Sequence, residues 1–346
     1  MSKSTIKVTF IILTSAAIIG CAFTYYLFNK IYKANLKETT TIYISADTDF
    51  NEICEMLAPN MKDIDNFIWT AKIKKYTRQI RTGKYILPKD LNNNEIINKL
   101  RNKNQSPITL NFNNQHSLEL LSGRIAKQIE ADSIELLNAF KDPDFLKEKK
   151  LNLENILAIF IPNSYQVYWD ISANQLRERM YEEYNRFWTK KRREKAKKIK
   201  LTPMEVSILA AIVQKETSYI QERPKVAGLY MNRYNKNWLL QSDPTVIFAL
   251  KRAYGNSFDV KRVLTKDLQI DSPYNTYKTK GLPPGLIAMP DISSIDGILN
   301  LEKHDYFYMC ASTEKIGTHV FSKTLSEHNK NAKKYQKWLT QQGIKR

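Results

Sequence analysis

The sequence is poor in the residues that carry metal and thiol chemistry. Its three cysteines, Cys21, Cys54 and Cys310, lie far apart, form no CxxC pair and are odd in number, so no disulfide framework is implied. Cys310 falls in the apolar run Tyr306 to Ala311, a strand-like stretch in which a thiol serves as filler. The four histidines, His116, His304, His319 and His328, show no HExxH and no close pairing with thiols, which argues against a metal site. Ser322 near His319 is not part of a GxSxG elbow. Acidic residues are also scarce: 35 Asp and Glu stand against 54 Lys and Arg, a formal charge of +19. That balance points to an anionic partner, whether nucleic acid, phospholipid headgroups or a cell-wall polymer. No recognition-helix, zinc-finger or RNP signature accompanies the charge, so nucleic acid drops out. Internal repeats and extended low-complexity tracts are missing as well. What is present is enough apolar material, 42% of 346 residues with 19 Tyr and 14 Phe, to fill two or three cores.

One long uncharged run stands out. Val8 to Phe28 has no charged side chain, and its 21 positions span a hydrocarbon core at about 1.5 Å per residue. Lys3 and Lys7 precede it and Lys30, Lys33 and Lys37 follow, a near balance that leaves orientation open by charge alone. Three fates compete: an uncleaved anchor, a lipoprotein signal with Cys21 as the lipidated residue, and an ordinary cleaved signal. The anchor is favoured because AFTYYLF continues the apolar run past Cys21, and Tyr25 and Tyr26 suit an interfacial belt.

Residues 31–40 read as a short polar stalk. Thr41 to Ser45 alternates as a strand, and Asp49 is placed to cap a helix through Ile53, Met56 and Leu57. A second helix is expected over Asp63 to Lys75, a turn and strand at Gly83 to Pro88, and a helix carrying Ile96, Ile97 and Leu100 behind an Asn-rich cap. This is a small α/β module. Further on, Ile108 to Phe112 reads as a strand, Ser117 to Glu130 and Ser133 to Phe140 as helices, and Phe160 to Tyr168 as an aromatic, strand-prone block. From Asn174 to Lys200 the pattern is one long helix. Its end, Lys190 to Lys200, holds eight basic residues and one acidic one, read either as a solvated face or as a contact with anionic lipid or wall polymer.

Residues 201–220, LTPMEVSILAAIVQKETSYI, carry the chemistry. Thr202 and Pro203 form a helix start, and Val206 to Val213 is apolar apart from Ser207, so the helix is buried on nearly every side. Ile208, Ile212 and Glu216 follow at four-residue steps, which brings Glu216 out at the end of a greasy stripe. Desolvation there would raise its pKa toward the range of a general acid, as glycosidic cleavage requires. An ion pair with Lys215 or Arg223, or a solvated helix end, is the structural alternative.

The block Ile212 to Thr217 with Glu222 to Arg233 resembles the IVEKET…ERPxVAGVFxNRL pattern of the YceG-like endolytic lytic transglycosylases. Leu240 to Val246 is similar to that family's LQSDPTV, Asp271 to Tyr277 with Gly281 to Ala288 to its DSPYNTYxxxGLPPGPI, and Gly317 to Asn329 to its closing GxHxFSxTxxEHN. Four blocks in order are far more specific than one motif. Upstream, the GKYIL-then-helix order resembles the family's LysM-like module, and Phe160 to Tyr168 its FPNTY-type block. Departures are Gln214 in place of a common Glu, Asn235 to Leu239 in place of a Gly-containing approach, and Leu286 in place of a common Pro.

The resemblance implies an α+β fold: tail and transmembrane anchor at 1–30, stalk and LysM-like module at 31–110, a connecting region with the basic helix at 111–200, and a mixed α/β catalytic domain at 201–346. It implies Glu216 as the catalytic acid/base in cleaving the bond between N-acetylmuramic acid and N-acetylglucosamine within peptidoglycan strands, leaving 1,6-anhydro ends without metal or organic cofactor. Gln241, Ser242, Asp243, Asn275, Thr276 and Tyr277 are the candidate substrate-binding residues, short donors and acceptors plus a ring on segments stiffened by Pro244, Pro273, Pro283 and Pro284. Turn formation is the alternative role for each. Asp243 is either a second carboxylate or, as favoured, a cap for the helix starting near Pro244. Two rival functions stay open: a non-catalytic wall-binding scaffold and a muramidase that uses water. Expected partners are peptidoglycan strands, the membrane and wall-synthesis proteins; the expected location is the cytoplasmic membrane, single-pass, with the catalytic domain outside.

Overall fold

The computed structural model describes residues 3–255, 258, 260 and 262–342. The first two residues of the expected tail and the last four of the expected catalytic domain lie outside the described residues. The fold is mixed α and β, with an apolar N-terminal helix, and divides into two compact units. One comprises residues 1–110 with 128–130 and 165–171; the other comprises 111–127, 131–164 and 172–346.

The first unit opens with α1 (Lys3–Tyr32), whose stretch Lys7–Tyr32 is long and apolar enough to cross a membrane and is not buried by protein. Strand β1 (Thr40–Ile44) alternates, burying Thr40, Ile42 and Ile44. Then come α2 (Phe50–Leu57), α3 (Ile64–Ile73), β2 (Gly83–Leu87) and α4 (Asn93–Arg101). β1 and β2 pair antiparallel, Thr40 opposite Leu87 and Ile44 opposite Gly83. The three helices begin where local chemistry says they should: Asp49, Asp63 and Asn92 each accept a hydrogen bond from a first-turn N–H. Ile44, Ile53, Leu57, Phe67, Tyr85 and Leu100 meet in the core. Residues 31–40 are not a free stalk. Leu36 is fully buried, and the Asn35 amide donates to Asp63 O at 2.7 Å and to Asn93 Oδ1 at 2.8 Å while Asn35 Oδ1 accepts from Asp63 N–H.

The chain enters the second unit within β3 (Ile108–Phe112), continues through α5 (Leu118–Ala126), α6 (Ser133–Phe140) and α7 (Pro143–Glu148), and reaches β4 (Asn163–Val167), which pairs with β3. The first of these helices is shorter than expected. The long helix expected from Asn174 to Lys200 is two, α8 (Ala173–Phe187) and α9 (Lys190–Lys198). Trp188 is fully buried with ψ at 68°, which breaks the helical run, and Thr189 restarts it by accepting from Arg192 N–H. Burial of one large ring outweighs the helix propensity of its neighbours.

Next are α10 (Pro203–Glu216), α11 (Arg223–Asn235), α12 (Asp243–Tyr254) and α13 (Ile292–Leu299). The hairpin β5 (Tyr308–Ala311) and β6 (His319–Ser322) is followed by α14 (Leu325–Gln341). α10 is the central element: Val206 to Val213 are all buried, and α11, α12 and α13 pack around it. Thr202 and Glu205 close a reciprocal capping box at its start, with Pro203 at the first position.

Candidate active site

Glu216 is the last residue of α10. Thr217 turns to an extended conformation (φ −137°, ψ 131°) and stops the helix, its N–H still bonded to Val213 O. The carboxyl therefore sits where the helix dipole is negative, and it is only partly exposed. The ion pair considered from the sequence does not form. Arg223 is buried and paired with Asp291 at 2.8 Å, and Glu216 instead meets two neutral hydroxyls. Tyr230 on α11 donates to Glu216 Oε1 at 2.6 Å, and Ser242 donates to the same oxygen. No hydrogen bond from the described residues reaches Oε2. Burial pushes the Glu216 pKa up, and Asp243 adds to this; the two hydroxyls and the charge of His319 oppose it, and the net direction is upward.

The loop before α12 is built by exchange with the loop after Pro273. Gln241 N–H donates to Thr276 O at 3.1 Å, Ser242 N–H to Thr276 Oγ1 at 3.0 Å, and Thr276 Oγ1 meets Thr245 Oγ1 at 2.8 Å. Asn275 locks the second loop: its amide donates to Leu268 O and Ile270 O and accepts from Tyr277 N–H. The six candidate substrate residues thus sort by position. Ser242 touches Glu216. Tyr277 donates its hydroxyl to Asp243 Oδ1 at 2.6 Å, and Gln241 is exposed with φ at 52°, a left-handed conformation uncommon outside glycine. Asn275 and Thr276 are buried, the amide of Asn275 committed to its own loop and the hydroxyl of Thr276 to the start of α12. Asp243 is not the cap. Ser242 occupies the N-cap position of α12 without a side-chain cap bond, because its hydroxyl goes to Glu216; Asp243 is the first helical residue and faces Tyr277.

Two participants were given no role from sequence. Tyr230 lies in the run VAGLYM, where an aromatic reads as core, and it is indeed buried; only its hydroxyl betrays the site. Its own pKa is driven well above the ordinary value by burial and then by the Glu216 charge, so it stays a donor. The second is the pair Glu222 and His319. His319 gives its ring Nδ1–H to Glu222 Oε2 at 2.9 Å and its backbone N–H to Oε1 at 2.7 Å, tying the chain beyond α10 to β6. Burial raises the Glu222 carboxyl, but these bonds outweigh it and leave the pKa lowered.

The frame around the site is polar. Gln214 donates to Met289 O and accepts from Asp291 N–H, joining α10 to the start of α13. Gly228 is required on α11, since a Cβ there would lie 2.2 Å from Glu302 O.

The chain is similar to an endolytic murein transglycosylase of Bacillus subtilis, 44% identical over 139 residues that make up 40% of this chain and 36% of the relative. It is also similar to an endolytic murein transglycosylase of Streptococcus pneumoniae, 24% identical over 331 residues, covering 86% of this chain and 58% of the relative. These matches span less than two thirds of either relative's length. Among solved structures, a YceG-like protein of Listeria monocytogenes superposes with a TM-score of 0.55 at 29% identity, covering 85% of this chain and 99% of that one. The profile of the YceG-like family matches residues 42–334, which hold the whole Glu216 site. By that match the chain belongs to the YceG-like family.

Proposed function

We propose that this protein is an endolytic murein transglycosylase, held to the cytoplasmic membrane by α1 with residues beyond the helix on the outer side. Under this reading residues 31–110 are a LysM-like module, 111–200 connect, and 201–346 form the catalytic domain. One observation carries it: a partly exposed carboxyl at the end of a buried helix, its pKa raised, receiving two neutral donors on one oxygen. The names of its relatives add the substrate class.

Glu216, protonated on the unshared Oε2, gives its proton to the oxygen bridging N-acetylmuramic acid to N-acetylglucosamine as the C1–O bond breaks. Tyr230 and Ser242 stabilise the carboxylate formed at that moment. The carboxylate then takes the proton of the muramoyl C6 hydroxyl as that oxygen attacks C1. The products are a free 4-hydroxyl and a 1,6-anhydro end, and Glu216 is again protonated. One carboxyl suffices because the nucleophile belongs to the substrate. Gln241 and Tyr277 would line the sugar path, and Asn275 and Thr276 would act by holding their loops.

Mass spectrometry of glycan digests tests this. Products lighter by one water than hydrolytic ones are expected. Reducing ends from the wild type would make it a muramidase instead, and no cleavage by well-folded protein would leave a wall-binding scaffold.

A further inference from the structure

A cavity of about 660 Å³ lies beside the Glu216 site without including Glu216. Lys215 and Pro244 on its wall are the chain neighbours of Glu216 and Asp243, so both sites share the end of α10 and the start of α12. Side chains of adjacent helical residues diverge by about 100°, which sends Lys215 into the cavity while Glu216 faces Tyr230 and Ser242. Two of the cavity's cations are already matched: Lys141 pairs with Glu119 at 2.7 Å, and Arg252 with Glu154. Lys215 and Lys251 have no ion pair among the described residues, and they line the cavity together with His116. Burial and then the mutual repulsion of the two lysines lower the Lys215 pKa, while burial followed by both lysines lowers that of His116. A cluster of cations held without a counterion is a site for an anion. The remaining walls include Leu118, Leu157, Phe248 and Ile287, which suit a ligand with an apolar body behind its charge.

We propose that this cavity binds a carboxylate-bearing peptide branch of the glycan substrate, with Lys215 and Lys251 as the carboxylate contacts and the aliphatic wall taking the peptide's methyl groups. The assignment rests on the glycan reading of the Glu216 site. It makes the cavity a specificity subsite: a strand that carries its peptides is gripped on both sides of the α10 end, and a bare strand on one.

The test has a binding arm and a kinetic arm, both on the full chain in detergent. Calorimetric titration uses two probes, a short Ala- and Glu-containing peptide with free carboxylates and inorganic phosphate. The peptide should bind. Lys215→Gln with Lys251→Gln should weaken it roughly tenfold or more, Lys215→Arg with Lys251→Arg should restore it, and Glu216→Gln should leave it unchanged. In the kinetic arm, the paired Gln variant should raise KM roughly tenfold on peptide-bearing glycan, leave kcat within about twofold, and match the wild type on glycan stripped of peptides. Binding of phosphate but not of the peptide, peptide binding that ignores the Gln pair, or equal losses on both glycans would each overturn the proposal. A wild type that cleaves neither glycan would end the transglycosylase reading, and the titration would still decide this one.

Discussion

Tyr230 donates to Glu216 across 2.6 Å, from a helix that follows the glutamate after a short link ending in the 3-10 turn Ile220–Glu222. The bond joins a buried tyrosine hydroxyl to a carboxyl raised by burial, and it is one of the bonds that oppose that rise. Tyr230 and Ser242 both lower the Glu216 pKa against burial. Tyr230→Phe should therefore raise it. A general acid works while protonated, so the alkaline limb of the pH–rate profile should move to higher pH, while the maximal rate falls by about tenfold from lost positioning. An alkaline limb that stays in place would separate Tyr230 from the acid.

Glu216 also has a stability signature. Its pKa is raised in the folded protein, so its contribution is complete below the unfolded carboxyl value and is lost as pH rises through the folded one. Glu216→Gln removes the ionisation. The variant should lose at least about 10²-fold in activity, yet its stability advantage over the wild type should grow as pH rises through that range. Thermal melts from acid to mildly alkaline pH check the second claim, and near wild-type turnover would remove Glu216 from the mechanism.

Glu222 titrates in the opposite sense. Its folded pKa is lowered by His319, so the stability it provides is present above the unfolded value of about 4.3 and disappears as pH falls through the folded one. Glu222→Gln should destabilise the protein by about 2 kcal/mol at neutral pH and flatten the acid side of its stability profile. Denaturant melts at several pH values read both effects.

Much of this was legible in advance because it is local. Asp49, Asp63, Asn92 and Thr202 cap helices through bonds that span three residues, and the four-residue stripe that ends at Glu216 needs only helical geometry. What depended on closure across the chain was not legible. Whether an amide such as Asn275 faces a ligand or its own loop is settled only when Leu268 O and Ile270 O arrive beside it. Ser242 could have capped α12 as its position suggests, but its side chain is turned to donate to Glu216, 26 residues upstream, instead of accepting from the first turn of its own helix. The break at Trp188 was hidden for the same reason: nothing beside it in sequence is a breaker, and its burial is tertiary.

The capping box of α10 can be tested apart from the chemistry. Thr202→Ala removes the acceptor for Glu205 N–H and should cost about 1 kcal/mol in a denaturant melt. Thr202 lies at the opposite end of the 14-residue helix from Glu216, so kcat at temperatures well below the transition should stay within about twofold of the wild type.

The basic helix α9 separates its charge from its anchoring. Lys190, Lys191, Lys197 and Lys198 are exposed, whereas Arg192 is engaged with Asp296 at 3.0 Å and Ala196 is buried, so the four lysines form a charged outer face on a helix fixed by other residues. Their neutralisation to Gln removes four positive charges without touching those anchors. Exposed charges contribute little to stability, and Gln keeps the helix propensity of Lys, so the fold should be unaffected within about 0.5 kcal/mol. If the face serves attraction to an anionic surface, turnover on short soluble glycan should remain within about twofold of the wild type. Binding to anionic vesicles or to intact wall material should weaken, with a shallower dependence on salt, because long-range attraction is what screening removes. A collapse of soluble-glycan turnover in a well-folded variant would show instead that α9 takes part in the site itself.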